Sequence, residues 1–376
     1  MTNYIEKEAK SILRKSKITD SWFISKYNMN LYRGCENACI YCDGRSEKYN
    51  VEGDYGKDII VKLNAPELFK KEIEKIKEKT IIFFGGGVGD VYQSAEKKYE
   101  ITRQILKILS NYSFPIHILT KSSLVERDED LLKKINEKSS VTISFSISSS
   151  EQKVVDKYEP GCASISERFR LLEKFKKMNF YTGIMHMPVI PFISDNKKSM
   201  NNLLVSAKNA GVDFIIFGGM TIKPGRQKDF FFDQLEQIDK QLIDKYKEIY
   251  PDNNKWGNAS FNYYKQIDEL FYSLLKEYKI PSRIPHYIYK DKVELNVEVA
   301  MILFHIYHFL KLEGQIKKAY ETAAWKILFL KEDIKELIRK DELKKINGIG
   351  NVIDGIIKEI YNNRKCNYYE KLLNYG

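Results

Sequence analysis

The fold of this chain is decided by one short stretch, NLYRGCENACIYCDGR, at residues 30–45. Three of the five cysteines lie here, Cys35, Cys39 and Cys42, in the spacing C-x3-C-x2-C. Three thiolates on one compact loop can ligate three irons of a cubane iron–sulfur cluster and leave the fourth iron open. A zinc site usually requires a fourth nearby cysteine or histidine, and the nearest histidine in the sequence is His117. The stretch therefore predicts a 4Fe–4S cluster.

Apolar runs and amphipathic stretches alternate around the cysteine loop. The apolar runs predict six strands: Lys26–Tyr32, Thr80–Phe84, Ile116–Thr120, Val141–Ile147, Gly183–Ile190 and Asp213–Phe217. The amphipathic stretches predict the helices Pro66–Glu78, Ser94–Asn111, Asp128–Glu137, Ser164–Met178 and Lys197–Asn209. Alternating strands and helices form a parallel sheet, and six units are too few for a complete eight-fold barrel. The predicted fold is α/β, an open partial (βα)6 barrel, with the cysteine loop after its first strand.

The C-terminal part of the chain has a different pattern. Residues 226–290 read as two helices around a polar turn, followed by a connection with two prolines. From about Val293 the pattern is purely helical. A chain of 376 residues is suited to two domains. We therefore predict a barrel with a helical extension at 1–290, its core at about 26–220, and a small all-α domain at 291–376.

Composition limits the class of protein. The N-terminus is charged and lacks the apolar region of a secretion signal, and no apolar run approaches a membrane helix. A cytoplasmic location and free thiols are expected, so clustered cysteines favour metal binding over disulfides. The net charge of +11 is typical of proteins that bind polyanions such as DNA, RNA or anionic lipid. The alternative is a lysine-rich composition inherited from an AT-rich genome.

The cysteine spacing resembles that of the radical S-adenosylmethionine (radical SAM) superfamily. The resemblance implies that the open iron chelates the amino and carboxylate groups of S-adenosylmethionine. It also implies cleavage to a 5′-deoxyadenosyl radical, which abstracts hydrogen from a substrate. An electron donor such as flavodoxin or ferredoxin is then an expected partner. By resemblance, Tyr41 lies near the adenine, although ordinary packing explains the residue equally well.

A narrower resemblance is carried by several separated motifs. They are GDVYQSAEKKYEITRQIL (89–106), ILTKSSLVERDEDLL (118–132), SFSIS (144–148) and the segment from YEPGCAS to HMPVIP (158–191). These are similar to the spore photoproduct lyase-like, or DNA repair photolyase-like, family over residues 28–195. The resemblance implies that Lys121 contacts the S-adenosylmethionine carboxylate and that Ser146 contacts its ribose or carboxylate. A solvated lysine and a small residue that fills the barrel are the structural alternatives.

A glycine-rich segment follows the second predicted strand. Glycines allow close approach to the backbone, and in the superfamily this strand end meets the methionyl amino group, so Gly85, Gly86 and Gly87 are candidate binding residues. In spore photoproduct lyase itself a hydrogen-donating cysteine ends this strand, where this chain has Gly87. The departure argues against that enzyme's own activity. Cys162 is a candidate replacement donor, although a single loop cysteine is more often incidental.

The segment LKKINGIGNVIDGIIKEI (343–360) predicts two helices joined by a Gly-x-Gly hairpin. Such a hairpin exposes backbone amides at a helix N-terminus, where a phosphate binds without any base being read. The segment resembles the helix-hairpin-helix domain at the N-terminus of family X DNA polymerases. Gly348, Ile349 and Gly350 are thus candidate DNA-binding residues, and a purely structural hairpin is the alternative. The lyase lysine of some members is replaced by Ile356, so lyase chemistry is not expected there.

Together these features predict a radical SAM enzyme that repairs or modifies damaged DNA. One alternative keeps the chemistry and changes the substrate to RNA or protein. Another is a non-enzymatic 4Fe–4S DNA-binding sensor, which would show cluster redox behaviour without cleavage of S-adenosylmethionine.

Overall fold

The computed structural model describes residues 2–85, 89–252 and 254–375, except for the side chains of Asn374 and Tyr375. Its strands are β1 (Asn3–Lys7), β2 (Leu13–Asp20), β3 (Ser25–Met29), β4 (Tyr32–Arg33), β5 (Asp58–Lys62), β6 (Ile81–Phe84), β7 (Ile116–Thr120), β8 (Val141–Ser146), β9 (Tyr181–Val189) and β10 (Phe214–Gly219). Seven of them form the main sheet, in the order β10-β9-β8-β7-β6-β3-β2. A second, small sheet has the order β1-β5-β4.

Six strands of the main sheet, β3 and β6 to β10, run parallel, and β2 pairs antiparallel with β3 at one edge. This sheet is curled into a half-barrel. The predicted α/β class and the open sheet of six parallel strands are confirmed. The antiparallel strand and the small sheet were not predicted. Their sequences are charged and half-exposed, and such edge strands lack the apolar runs by which a buried strand is recognised.

The helices lie between and after the strands. They are α1 (Ala65–Ile73), α2 (Glu96–Tyr99), α3 (Ile101–Leu109), α4 (Glu129–Lys138), α5 (Gln152–Tyr158), α6 (Ile165–Lys177), α7 (Lys197–Ala210), α8 (Arg226–Ile238), α9 (Ile243–Ile249), α10 (Phe261–Tyr278), α11 (His286–Tyr289), α12 (Leu295–Leu312), α13 (Lys318–Leu328), α14 (Ile334–Arg339), α15 (Asn351–Asn363) and α16 (Asn367–Tyr375). Four of the five predicted helices have counterparts with shifted ends.

The helix predicted at Ser94–Asn111 is divided into α2 and α3. Glu100 lies between them with a left-handed φ of 51°. The carboxylate of Glu96 accepts hydrogen bonds from the backbone amides of Thr102 and Arg103, at 3.0 and 3.2 Å. A buried side chain thus satisfies amides that a continuous helix would have bonded to its own carbonyls. The apolar period continues through the break, which is why the sequence predicted one helix.

The amino ends of the parallel strands are covered by the C-terminal helices. Ile81 and Phe214, the first residues of β6 and β10, belong to one buried apolar cluster with the middle of α12. Two connections fix this contact: Lys79 N donates to Glu294 Oε1 at 2.7 Å, and Ile215 N donates to the carbonyl of Pro281 at 2.9 Å. The helices therefore close one end of the half-barrel.

Helix α12 has the length and composition of a membrane span. It has 18 residues and a mean hydropathy of 1.3, a feature that the sequence analysis did not anticipate. Residues 299–303 of this helix are fully buried against the barrel and the other C-terminal helices. Burial of this kind is typical of the core helix of a globular protein, whose apolar faces pack on both sides.

Shortening a buried α12 side chain should destabilise the whole protein. Ile306 is fully buried, so Ile306→Ala removes apolar contacts and should lower the free energy of unfolding by about 2–4 kcal/mol. Leu312 on the same helix is 39% exposed, and Leu312→Ala should change it by less than about 0.5 kcal/mol. Chemical denaturation measures both. Equal effects would contradict the assignment of α12 to the core.

Candidate functional site

A cavity of about 440 Å³ opens at the carboxyl ends of the parallel strands. Its volume lies within the range of small-molecule and cofactor sites. Its lining includes Cys35, Cys39, Cys42, Asn37, Tyr41, Asp43, Tyr55, Gly85, Asp90, Thr120, Lys121, Ser146, Met187, Pro188, Met220 and Thr221. These residues come from six different βα connections, and parallel strands bring such connections to the same edge of a sheet.

The cysteine loop is held by its own backbone. Gly34 has a φ of +81°, and a Cβ there would lie 2.5 Å from the carbonyl oxygen of Asp58, so only glycine fits. The next amide, Cys35 N, donates to the carbonyl of Tyr55 at 2.9 Å. The buried guanidinium of Arg45 donates to the carbonyl of Cys39 at 3.4 Å and lies 3.6 Å from the ring centroid of Phe230. These contacts direct the loop into the cavity.

The thiols of Cys35 and Cys39 are buried, and that of Cys42 is partly buried. Burial raises the pKa of Cys35 well above its usual value and raises the pKa of Cys42 to about 11. A hydrogen bond with Cys162, whose sulfur is 3.8 Å from that of Cys39, lowers the pKa of Cys39 despite its burial. Thiolates are the form that binds metal. Cluster binding must therefore remove protons from Cys35 and Cys42 against their raised pKa, whereas the lowered pKa of Cys39 favours its thiolate.

Asp90 ties three strand ends together. Its carboxylate accepts hydrogen bonds from Asn37 Nδ2 at 3.0 Å, from Thr120 Oγ1 at 2.8 Å and from the amide of Lys121 at 2.8 Å. Asn37 belongs to the cysteine loop, whereas Thr120 ends β7. Asp90 also lines the cavity. One carboxylate thus fixes the cysteine loop relative to the third parallel strand.

A second carboxylate, Glu159, compensates two buried cations. Lys121 Nζ lies 2.8 Å from Glu159 Oε1, and Arg168 Nη1 lies 2.7 Å from Glu159 Oε2. Burial disfavours the ionised form of Glu159, but the charges of Lys121 and Arg168 outweigh burial and hold its pKa well below the usual range. The hydroxyls of Tyr41 and Ser148 also donate to this carboxylate. Lys121 is therefore held at the cavity wall as a cation.

Most of the candidate residues from the sequence meet in this cavity. Tyr41, Gly85, Lys121 and Ser146 line it together with the three cysteines. Gly86 and Gly87 lie outside the described residues. Sequence reasoning did not single out Asp90, Glu159 or Arg45. Asp90 and Glu159 lie in motifs that were quoted for their resemblance to a family. Acidic residues inside those motifs were the sequence signal that could have identified them.

Cys162 and the C-terminal hairpin do not line the cavity. Cys162 lies behind the cysteine loop and lines a separate polar surface cavity with Ser122 and Gly161. A role as hydrogen donor stays a prediction without support from the cavity lining. Gly348, Ile349 and Gly350 belong to the C-terminal helical region, which covers the opposite end of the sheet.

The three thiols of the cysteine loop line one cavity. Within residues 2–85, 89–252 and 254–375, no three metal-ligating side chains converge on one point, as a single bound ion would require. A cubane cluster instead takes one thiolate at each of three irons. Three thiols spaced around one cavity wall, next to polar groups from neighbouring strands, match that requirement.

The fold and the three-cysteine cavity define an α/β half-barrel protein whose candidate site lies at the carboxyl ends of its parallel strands. The family model of the Radical SAM superfamily matches residues 29–203. An uncharacterized protein of Methanocaldococcus jannaschii is 30% identical over 232 residues, which cover 61% of this chain and 82% of that protein. An uncharacterized protein of Mycobacterium tuberculosis is 25% identical over 229 residues, covering 60% of this chain and 67% of the relative. The chain belongs to the radical SAM superfamily.

Solved structures agree with the fold. A spore photoproduct lyase double mutant with bound AdoMet and dinucleoside spore photoproduct superposes with a TM-score of 0.56 at 15% identity, covering 73% of this chain and 79% of that chain. A single mutant with dinucleoside spore photoproduct gives the same TM-score and coverage at 16% identity. At this identity the likeness shows the fold alone. Enzymes of the superfamily bind a 4Fe–4S cluster and S-adenosylmethionine, so the two predicted cofactors are confirmed.

Removing one cluster thiol should remove the cluster. Cys39→Ala leaves one iron without a ligand and should reduce bound iron and acid-labile sulfide to a small fraction of the parent's content. Cys162→Ala, which removes the neighbouring sulfur, is the matched control and should retain the cluster. Iron and sulfide analysis with visible absorbance after anaerobic reconstitution measures both. A full iron content in Cys39→Ala would refute the assignment.

Neutralising Glu159 should leave two buried cations uncompensated. Glu159→Gln should lower the free energy of unfolding of the cluster-free protein by about 3 kcal/mol or more. Glu336→Gln, which removes an exposed pair with Arg339, should have a much smaller effect because solvent screens that pair. Denaturation of parent and variants at neutral pH makes the comparison.

The Glu159 effect should depend on pH in one direction. The folded pKa lies below the value of about 4.3 for an unfolded glutamate, so the stabilisation is present above about pH 4.3. It is lost as the pH falls through the folded pKa. The difference in unfolding free energy between the parent and Glu159→Gln should therefore shrink in acid. A difference that stays constant down to about pH 2 would contradict the ion-pair account.

Proposed function

We propose that this radical SAM enzyme acts on DNA, in the repair or modification of damaged nucleotides. The observation that carries the proposal is the hairpin before α15, whose geometry suits a DNA phosphate. The cluster and S-adenosylmethionine supply one-electron, hydrogen-abstracting chemistry, and the protein orients the groups and excludes water. The similarity in fold to spore photoproduct lyase is consistent with a nucleotide substrate.

The hairpin presents open backbone at a helix N-terminus. Gly348 has a φ of +99°, and a Cβ on Gly350 would meet nothing within 4 Å. Ile349 between them is 4% exposed and anchors the turn in the apolar cluster of the C-terminal helices. The first amides of α15 have no partners within the helix and carry positive potential. The first of the two helices predicted at 343–360 is only a 3-10 turn, Leu343–Lys345, and the second is α15. We infer that this turn, the glycine turn and α15 together act like a helix-hairpin-helix element that holds a phosphate.

The hairpin and the cavity belong to opposite ends of the sheet. Strands of five or six residues are about 17–20 Å long, and the hairpin lies in the helices beyond their amino ends. The phosphate held at the hairpin and the nucleotide in the cavity are therefore separated along the DNA. The hairpin contributes affinity, and recognition of the lesion is left to the cavity.

The cavity residues suit a polar cofactor that carries a carboxylate. We infer that Lys121 binds the carboxylate of S-adenosylmethionine, because it is a buried cation at the cavity wall. Ser146 donates to the carbonyl of Met187 at 3.1 Å, which leaves its hydroxyl oxygen as the acceptor that we propose for a ribose hydroxyl. Tyr41 presents a ring to the same space, and Gly85 leaves room for the methionyl group. A flavodoxin or ferredoxin is the proposed electron donor.

Spore photoproduct itself is not the expected lesion. Gly87, which lies outside the described residues, replaces the hydrogen-donating cysteine of spore photoproduct lyase, and Cys162 does not line the cavity. Without a donor the product radical is left to side reactions. The substrate is therefore expected to be a different damaged or modified nucleotide.

The deciding experiment compares substrates for the reconstituted enzyme. The anaerobic holoenzyme with reductant receives irradiated duplex DNA, intact duplex DNA, transfer RNA or no nucleic acid, and 5′-deoxyadenosine is measured. We expect irradiated DNA to give the largest increase, with deuterium from labelled S-adenosylmethionine traced in the DNA. Stimulation by transfer RNA alone would favour an RNA-modifying enzyme. A redox-active cluster that never cleaves S-adenosylmethionine would favour a sensor.

Blocking the hairpin should weaken DNA binding and spare the cavity. Gly350 has an ordinary extended conformation and open space, so Gly350→Leu is tolerated by the fold but obstructs phosphate approach. Duplex affinity should fall several-fold, and the slope of log affinity against log salt should decrease by about one. Gly355→Leu, on the exposed side of α15 with equally open surroundings, is the matched control. Equal DNA affinity in both variants would make the hairpin purely structural.

A further inference from the structure

An exposed tryptophan stands beside the cavity with two lysines at its ring. Trp256 is 57% exposed, an uncommon position for the largest apolar side chain. Lys48 Nζ lies 4.5 Å and Lys255 Nζ 5.4 Å from the centroid of its ring. Among the described residues, neither ammonium group has a carboxylate within 4 Å. The ring and two unneutralised cations therefore form one surface, which we call the Trp256 platform.

Nearby acidic groups do not neutralise this platform. Asp252 pairs with Lys228, and the carboxylate of Glu47 accepts a hydrogen bond from the amide of Arg226 at 2.7 Å. Both carboxylates thus have partners on α8, away from the tryptophan ring. The charges left at the Trp256 platform are positive, which is complementary to a polyanion.

The loop that carries Trp256 is held in place. Gly257 has a φ of +69°, and a Cβ there would lie 2.3 Å from the carbonyl carbon of Ile222, so only glycine allows this approach. Ile222 N donates to the carbonyl of Gly257 at 2.7 Å, and Trp256 N donates to Asn254 Oδ1 at 3.0 Å. A ring presented by a fixed loop loses little conformational entropy when a ligand stacks on it.

The Trp256 platform joins the two segments that form one wall of the cavity. Thr221, which lines the cavity, pairs with Asn258 in an isolated β-bridge just beyond the tryptophan. Lys48 follows the cysteine loop and donates to the carbonyl of Lys255 at 3.0 Å. The platform is thus joined to a cavity-lining residue through the Thr221–Asn258 bridge, and Lys48 lies six residues after the cluster cysteine Cys42, at the open end of the half-barrel.

We propose that the Trp256 platform is a base-stacking site for an unpaired nucleotide of the strand that enters the cavity. The proposal rests on the proposed nucleic-acid substrate. It specifies that the platform binds a strand that is single-stranded or locally opened. Aromatic rings flanked by cations bind such strands because every base has a face to stack and every nucleotide has a phosphate. A duplex hides its base faces, so chemistry on a base requires opening.

Replacements of Trp256 separate stacking from simple apolar contact. Trp256→Phe keeps an aromatic face, whereas Trp256→Leu keeps apolar bulk without one. The ligand is a short single-stranded oligothymidylate, compared with an abasic oligonucleotide of the same length and charge. We expect Trp256→Leu to weaken oligothymidylate binding by about fivefold or more and Trp256→Phe to stay close to the parent. Neither variant should change the already weaker binding of the abasic strand.

A direct signal comes from the tryptophan itself. The chain has three tryptophans, so replacing Trp22 and Trp325 by Phe leaves Trp256 as the single tryptophan, which is excited selectively at wavelengths that tyrosine does not absorb. Its emission in the reconstituted holoenzyme should be quenched by oligothymidylate and by single-stranded oligoribouridylate, and much less by the abasic strand. Iron content and the circular dichroism spectrum of each variant serve as controls for folding.

The possible outcomes distinguish this proposal from the one on which it rests. If the parent binds no nucleic acid at low salt, the proposed DNA substrate fails and the platform fails with it. If the parent binds oligothymidylate and Trp256→Leu binds it equally well, the platform alone is overturned. Weakening by Trp256→Leu and Trp256→Phe alike, or equal quenching by the abasic strand, would also overturn base stacking. If oligothymidylate binding by Trp256→Leu equals that of the parent, the exposed ring would instead be explained as an apolar contact for a peptide or a lipid.

Discussion

The two ends of the curled parallel sheet differ in this protein: one is covered by apolar contacts and the other is an open polar cavity. The amino ends of the strands carry apolar side chains such as Ile81 and Phe214, which α12 buries. The carboxyl ends carry thiols, carboxylates and a lysine around a cavity. Closing one end with apolar contacts leaves the other as the route to the cluster. The two proposed nucleic-acid contacts follow this division, with the hairpin beyond the closed end and Trp256 at the open one.

The structure of the open end depends on buried charged side chains that neutralise one another. Glu159 compensates Lys121 and Arg168 together, and its charge keeps the lysine protonated at the cavity wall. A buried cation without this partner would lose its proton or draw in water. Asp90 also connects separate parts of the site, because it accepts hydrogen bonds from the cysteine loop and from the end of β7. The groups proposed to bind the cofactor are thus positioned by ion pairs and hydrogen bonds to two carboxylates.

Much of the fold followed from the sequence because its signals are local or periodic. Most of the buried parallel strands are continuous apolar runs and β3 alternates between buried and half-buried residues, so all six were predicted within a few residues. The strands β1 and β2 were not predicted because they are half-exposed and charged. Each is stabilised as a strand by pairing with another part of the chain. The break at Glu100 depends on where the carboxylate of Glu96 lies, which no window of sequence shows.

The sequence by itself determined the cluster loop, since three cysteines within eight residues need no distant partner to bind one cofactor. It also determined which strand ends carry Lys121 and Ser146, because those positions follow from the strand pattern. Only the tertiary structure decided that Glu159 sits between Lys121 and Arg168, and that the C-terminal helices cover the end of the barrel opposite the cavity. The reason is physical: side-chain periodicity is set by neighbours along the chain, whereas charge compensation and the direction of packing are set by groups that meet only after the chain has folded.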